Sequence, residues 1–388
     1  VTAGALMLYS AVRMAADVCQ STVVAWVPAA ETGSPGVVAL LWALRYLPWF
    51  GLPLSGALAD RRPRRAVVRA ADGAAAVLAL AAGILAARFG FGIGLAAVWA
   101  GAYGALSAAA RPSTKGLARQ TLAAPSDAAR LSGALTALEY LVLGAGQLAA
   151  GLLVRRGPAA AGLLACAALL AVGVGALSLR APSGAPRAAA ADTPPVPVVR
   201  LLASPAFRGP FVLTVLCGAC AFTARALAPL LVLRHMRAGV LGFAALEAVY
   251  ALGAGAGSAW LRRGAHWRGG VRTAALAWLL AAPALALAGT ARALPPAILA
   301  FAALGAAAGV QDAGNASRVA ALVPPDAQGR AMAYGSLVWR LPGVLAAGLA
   351  SLGGVWPFGR LCGVLAAVQA AVAAASFLPP VRRAVFGE

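Results

Sequence analysis

Nine ionisable side chains stand inside long apolar stretches of this 388-residue chain, and they are where chemistry has to be sought: Arg13, Asp17, Arg45, Asp72, Glu139, Arg225, Glu247, Asp312 and Arg340. A charge held away from water is costly, so it is retained for pairing, for a ligand or for proton movement. Arg13, Asp17 and Gln20 follow one another at i, i+4 and i+7, which puts them on one stripe of a helix. Arg13 and Asp17 either neutralise each other as a structural pair or form a site for a proton or a substrate. Glu139 and Asp312 are the acids best suited to proton exchange, because a carboxyl in a low-dielectric medium can load and unload protons. The alternative for each is a carboxylate paired with Arg225 or Arg340. Those two arginines either attract an anionic group or serve structure. Glu247, in the outer third of its stretch, is expected to snorkel outward. Trp99, Tyr103, Phe222 and Trp339 lie deep enough in their stretches to stack on a hydrophobic molecule.

The elements that must position these groups follow from composition. The chain is 62% hydrophobic with mean hydropathy +0.83, and only 11% of it is charged, against about 25% in soluble domains. Soluble enzymes, disulfide scaffolds and disordered chains are excluded, and the lipid bilayer is the expected surroundings. A span needs about 20 apolar residues at 1.5 Å rise each. Stretches bounded by charge, proline or glycine give twelve: 4–27, 36–59, 66–87, 92–111, 131–153, 158–179, 207–233, 240–261, 272–290, 294–317, 328–352 and 358–379. The fold class expected is therefore an all-α membrane protein of twelve transmembrane helices in two pseudo-symmetric six-helix bundles. The first bundle takes 1–180 and the second 205–388. Between them 181–204, with Pro182, Pro186, Pro194, Pro195 and Pro197, reads as a cytoplasmic linker.

Thirty-two basic residues against 11 acidic ones leave a net charge of +21. With the N-terminus inside, 21 of the basic residues fall in cytoplasmic segments and seven in outer ones, so both termini are expected in the cytoplasm. The excess therefore sets topology, and no nucleic-acid partner is expected. Cys19, Cys166, Cys217, Cys220 and Cys362 all sit in apolar runs, which indicates neither disulfides nor a metal site. No cofactor is expected. The chain opens on Val1, and Arg13 and Asp17 stand where a cleavable signal would be uncharged, so no such signal is expected. Gly253-Ala254-Gly255-Ala256-Gly257 reads as a close-packing surface.

One connection carries a recognisable motif. After the second stretch the chain reads Gly56-Ala57-Leu58-Ala59-Asp60-Arg61-Arg62-Pro63-Arg64-Arg65. This resembles the major facilitator superfamily signature G-x-L-A-D-R-x-G-R-R/K at the same place, with Pro63 where the second glycine usually stands. The resemblance implies that Asp60, braced by Arg61, Arg64 and Arg65 and packed through Gly56, helps close a cytoplasmic gate. Gln328-Gly329-Arg330 before the eleventh stretch resembles a similar entry in drug-efflux-like members. Two family features are missing: 91–110 has no arginine, and Gln147 in Gly144-Ala145-Gly146-Gln147-Leu148 replaces the proline usual in antiporters. In the family fold the first, fourth, seventh and tenth spans line a central cavity, which would leave Asp72 in an outer span near the cytoplasmic surface.

What the resemblance implies is a secondary active transporter, working as a monomer in the cell membrane. It would move a small hydrophobic or amphipathic molecule by alternating access, with export by proton antiport the first expectation. An uncoupled facilitator or importer is the alternative, and a transporter-like sensor or scaffold a third. A membrane enzyme is not expected. The only histidines, His235 and His266, fall on opposite sides, and no cluster of catalytic acids exists.

Overall fold

The computed structural model describes residues 3–51, 63–120, 125–178, 205–263, 271–322 and 328–379. Backbone polar groups in lipid have to be satisfied within the segment, so helices are the available solution. In chain order they are α1 (Ala3–Thr32), α2 (Pro35–Tyr46), α3 (Arg64–Phe89), α4 (Ile93–Gln120), α5 (Pro125–Arg156) and α6 (Ala159–Ser178). Then come α7 (Pro205–Arg234), α8 (Val240–Arg263), α9 (Val271–Thr290), α10 (Leu294–Leu322), α11 (Gln328–Ser351) and α12 (Phe358–Ala375). Among the described residues nine of these, α3 to α10 and α12, are long and apolar enough to cross a membrane.

Several helices outrun the apolar stretch that announced them. α4 continues to Gln120 and α5 starts at Pro125. Proline suits a first helical position, where its missing N–H has no partner to lose. α2 behaves in the opposite way. Its α-helix stops at Tyr46 and a 3-10 turn, Leu47–Gly51, follows. Pro48 explains this, since it donates no hydrogen bond and disfavours helical geometry in the residue before it.

The chain clusters into two compact units, Val1–Thr32 with Leu44–Asp192, and Gly33–Ala43 with Thr193–Glu388. In the first, α1 packs on α4, α5 and α6, and α3 packs on α4 and α6. In the second, α7 packs on α10, α11 and α12, and α9 packs on α10 and α12. These pairings recur with an offset of six helices, and α7 packs in addition on α8 and α9. Gly33–Ala43 joins the second unit through the Arg234 guanidinium, which donates to the Gly33 carbonyl at 2.5 Å, and through Trp42, 6.5 Å from the Phe222 ring.

The tightest seam in the second unit is α8 against α10. A Cβ at Gly253 or Gly257 of α8 would run into the carbonyls of Ala302 and Ala306, and one at Gly305 or Gly309 of α10 into those of Tyr250 and Ala254. Each helix thus lays a Gly-x-x-x-Gly face on the backbone of the other. The glycine-rich run is the close-packing surface its composition announced. Ser258 adds a hydrogen bond to the Gly309 carbonyl at 2.9 Å.

Candidate functional site

Polar chemistry in the first unit converges on Arg13, at mid-length in α1. Its Nε donates to Asp72 Oδ1 at 3.0 Å, Nη1 to the Tyr103 hydroxyl at 2.6 Å, and Nη2 to Ser107 Oγ at 2.9 Å. Nη1 also lies 2.8 Å from Asp17 Oδ1, one turn along α1. The Tyr103 hydroxyl passes the contact on, donating to Asp17 Oδ1 at 2.6 Å. Tyr9 donates to Asp72 Oδ2 at 2.5 Å, and Arg111 Nη2 approaches Asp17 Oδ2 at 3.4 Å. Arg13 is 8% exposed and Asp72 1%. Charges so far from water are tolerable only when paired and hydrogen-bonded throughout, and these are.

The helices supply this geometry by simple periodicity. Tyr9, Arg13 and Asp17 are four apart on α1; Tyr103, Ser107 and Arg111 are four apart on α4. Residues at that spacing share a face, so two facing stripes mesh, and Asp72 of α3 closes the third side. The stripe on α1 extends the expected Arg13–Asp17 pair. Gln20 departs from it, turning its amide back to the Asp17 carbonyl at 3.1 Å. Asp72 corrects the expectation of a peripheral acid: it is the second carboxylate on Arg13. Arg111, the last residue of the 92–111 stretch, is a further member of the cluster: α4 runs past it and presents it to Asp17. The signal available in the sequence was the four-residue repeat Trp99, Tyr103, Ser107, Arg111.

The other expected acids behave differently. Glu139 lies half-buried on α5 and makes no hydrogen bond or ion pair among the described residues. In the second unit, Arg225 grips Glu247 with both arms, Nε to Oε1 at 3.1 Å and Nη2 to Oε2. Its guanidinium also lies 4.1 Å from the Tyr250 ring centre and 5.4 Å from that of Phe222. Glu247 is 6% exposed. It does not snorkel outward, because a cation within reach on α7 satisfies it better than the short path to the interface. Asp312 and Arg340 are both partly buried, on α10 and α11.

At the corresponding helices of the second unit an amide relay, joined by Arg318, whose Nη1 donates to Asn315 Oδ1 at 3.3 Å, stands where the first unit has its ion pairs. Trp278 of α9 donates to Gln311 Oε1 at 3.2 Å, Gln311 to Asn315 Oδ1 at 3.1 Å, and Asn315 to Thr214 Oγ1 on α7 at 3.1 Å. Gln147 of α5 accepts from Thr22 of α1 at 2.9 Å. A buried interhelical hydrogen bond thus stands where antiporter sequences place a proline.

Of the signature connection, Gly56, Asp60 and Arg61 lie outside the described residues. Arg64 and Arg65 open α3, and the Arg65 guanidinium donates to the Leu177 carbonyl at the end of α6. A cation at that terminus suits the helix dipole. Arg330 and Trp339 lie on α11 at positions whose side chains fall outside the described residues. Trp99 and Tyr103 are buried against each other with ring centres 5.0 Å apart.

Known structures share this architecture. A bacterial homologue of the human lysosomal transporter Spinster superposes with TM-score 0.66 at 16% identity, covering 96% of this chain and 93% of that one. A POT family transporter in complex with 5-aminolevulinic acid gives TM-score 0.69 at 14% identity, covering 96% and 94%. A POT family transporter with a thioalcohol-conjugated peptide gives 0.68 at 14% identity, with the same coverage. None of the curated proteins compared matches the chain in sequence. The Major Facilitator Superfamily model matches residues 6–347, nearly the whole run of helices. With its fold, its membrane-spanning helices and that match in agreement, the chain belongs to the Major Facilitator Superfamily and is a transporter, not an enzyme.

Proposed function

We propose that the protein is a secondary active exporter of a small hydrophobic or amphipathic molecule, coupled to proton entry through the Arg13 cluster. All twelve helices cross the cell membrane, with both termini cytoplasmic. Residues 1–180 and 205–388 alternate access about the 181–204 linker, and Asp60 and Arg330 work at the cytoplasmic gate. The protein works as a monomer. The observation that carries the reading is one guanidinium shared by two carboxylates, Asp17 and Asp72, within a membrane-spanning unit. A proton arriving on Asp17 cancels one of the charges that hold Arg13 and removes the partner of Arg111. The local pairing then has to rearrange, which links protonation to conformation. A proton moving through 100 mV gains about 2.3 kcal/mol from the potential alone. Glu139 and Asp312 are the further carboxyls on the proton path.

The test is flux in proteoliposomes with and without an imposed pH gradient, on the wild type and on Asp17→Asn and Glu139→Gln. Accumulation that follows the gradient in the wild type and ignores it in Asp17→Asn is the expected result. Wild-type flux indifferent to the gradient would end the antiport reading. The second reading, an uncoupled facilitator or importer, draws its support from Gln147, whose bond to Thr22 replaces the proline of antiporters.

A further inference from the structure

Among the described residues the charges around Asp17 do not balance. Arg13, Arg45 and Arg111 bear on it, and Asp72 is the second acid of the group, which leaves one positive charge in excess. Asp17 itself is close to saturated. Its Oδ1 takes both Arg13 and the Tyr103 hydroxyl, so only Oδ2 remains for the other two cations. Arg111 spends a single N–H on it, at 3.4 Å, and its side chain is 25% exposed. Arg45 makes no hydrogen bond or ion pair among the described residues and is half-buried. It is nonetheless held in place. Gly104 of α4 lies against the Arg45 backbone so closely that an added Cβ would sit 3.3 Å from the Arg45 Cα. Arg45 therefore leaves the chain beside Tyr103, at the level of the cluster. Trp99 Nε1, one turn from Tyr103, is a further buried donor without a partner.

From this we infer that the transported molecule presents a single negative charge, a carboxylate or a phosphate ester, to the guanidiniums of Arg45 and Arg111. The inference rests on the transporter reading above and narrows its substrate class. Guanidinium groups bind both anions through paired N–H donors, and one such charge neutralises the group. A cationic molecule would face three arginines across a carboxylate that is already engaged. A neutral one would leave the excess charge unpaired, which is costly away from water.

The experiment titrates the full chain in lipid nanodiscs at pH 7, reading intrinsic tryptophan fluorescence, with octanoate, octyl phosphate, octanol and octylammonium. Saturable binding of one or both anionic probes is expected, with octanol and octylammonium at least tenfold weaker. Binding of octanoate alone identifies a carboxylate, binding of octyl phosphate alone a phosphate ester, and either supports the inference. Arg45→Gln and Arg111→Gln should each weaken the anion about tenfold, while Arg360→Gln, far along the chain on α12, leaves it unchanged. Should Arg111→Gln fail to fold, Arg45→Gln decides, because Arg45 makes no hydrogen bond or ion pair among the described residues. Equal binding of all four probes, or undiminished anion affinity in Arg45→Gln, overturns the inference. Loss of the antiport reading in the flux assay would leave this result standing, and the reverse also holds.

Discussion

Arg225 and Glu247 meet through two N–H···O contacts between α7 and α8, with side chains 17% and 7% exposed. Removing one partner of such a pair strands a charge, at a cost of about 3–5 kcal/mol, while replacing both by apolar groups of similar volume is nearly neutral. Glu247→Ala should therefore lower the thermal midpoint of the detergent-solubilised protein sharply, and Arg225→Met/Glu247→Leu should stay near the wild type. Equal losses in the two variants would contradict this. The same residue scale shows what was legible. Arg13 and Asp17 stand out in any hydropathy profile because they interrupt an apolar run. Asp72, although it too stands inside an apolar stretch, and Arg111, at the end of its own, read as lying near a cytoplasmic rim. Only the three-dimensional meeting of α1, α3 and α4 turns them inward. Glu247 was misread for a related reason: depth along a helix says nothing about which neighbour faces it.

At the scale of elements, each α-helix among the described residues falls on an apolar stretch of the sequence, but several of the ends differ. Charged residues mark where a helix leaves lipid, whereas its end is set by the last backbone hydrogen bond, and α4 keeps that ladder for nine residues beyond Arg111. The case of α2 is the converse, since Pro48 breaks the ladder inside an apolar stretch. The glycines of α8 and α10 were legible as a pattern, though their partners were not. Gly305→Ala forces a methyl onto the Tyr250 carbonyl and should destabilise by about 1–3 kcal/mol. Gly348→Ala, on an exposed part of α11 with nothing within 4 Å, should be neutral or stabilising by up to about 1 kcal/mol. Thermal melting of the two variants side by side checks the contrast; equal shifts would mean that the α8–α10 contact is looser than its backbone spacing implies.

For the whole molecule, the arginine distribution expects a definite orientation. All five cysteines are free, and four of them are buried, so a cysteine-free background is a reasonable starting point. In it, Arg88→Cys and Arg292→Cys should react with a membrane-impermeant maleimide added outside intact cells, and Arg69→Cys and Arg262→Cys only after permeabilisation. The opposite pattern would invert the topology. The sequence points to two halves, because six apolar stretches lie on each side of a proline-rich segment. What differs between the halves at matching stations, an ionic knot on α1, α3 and α4 against an amide relay on α7, α9 and α10, was not legible, since Gln311 and Asn315 leave little mark on a hydropathy profile. The α8–α10 seam also has a mechanical consequence. Two helices whose α-carbons rest on each other's carbonyl oxygens cannot slide without collision, so they travel as one lever. Bending in that half then falls to α7, α9 and α11, where Pro210 and Pro229, Pro283 and Pro342 interrupt the hydrogen-bond ladder.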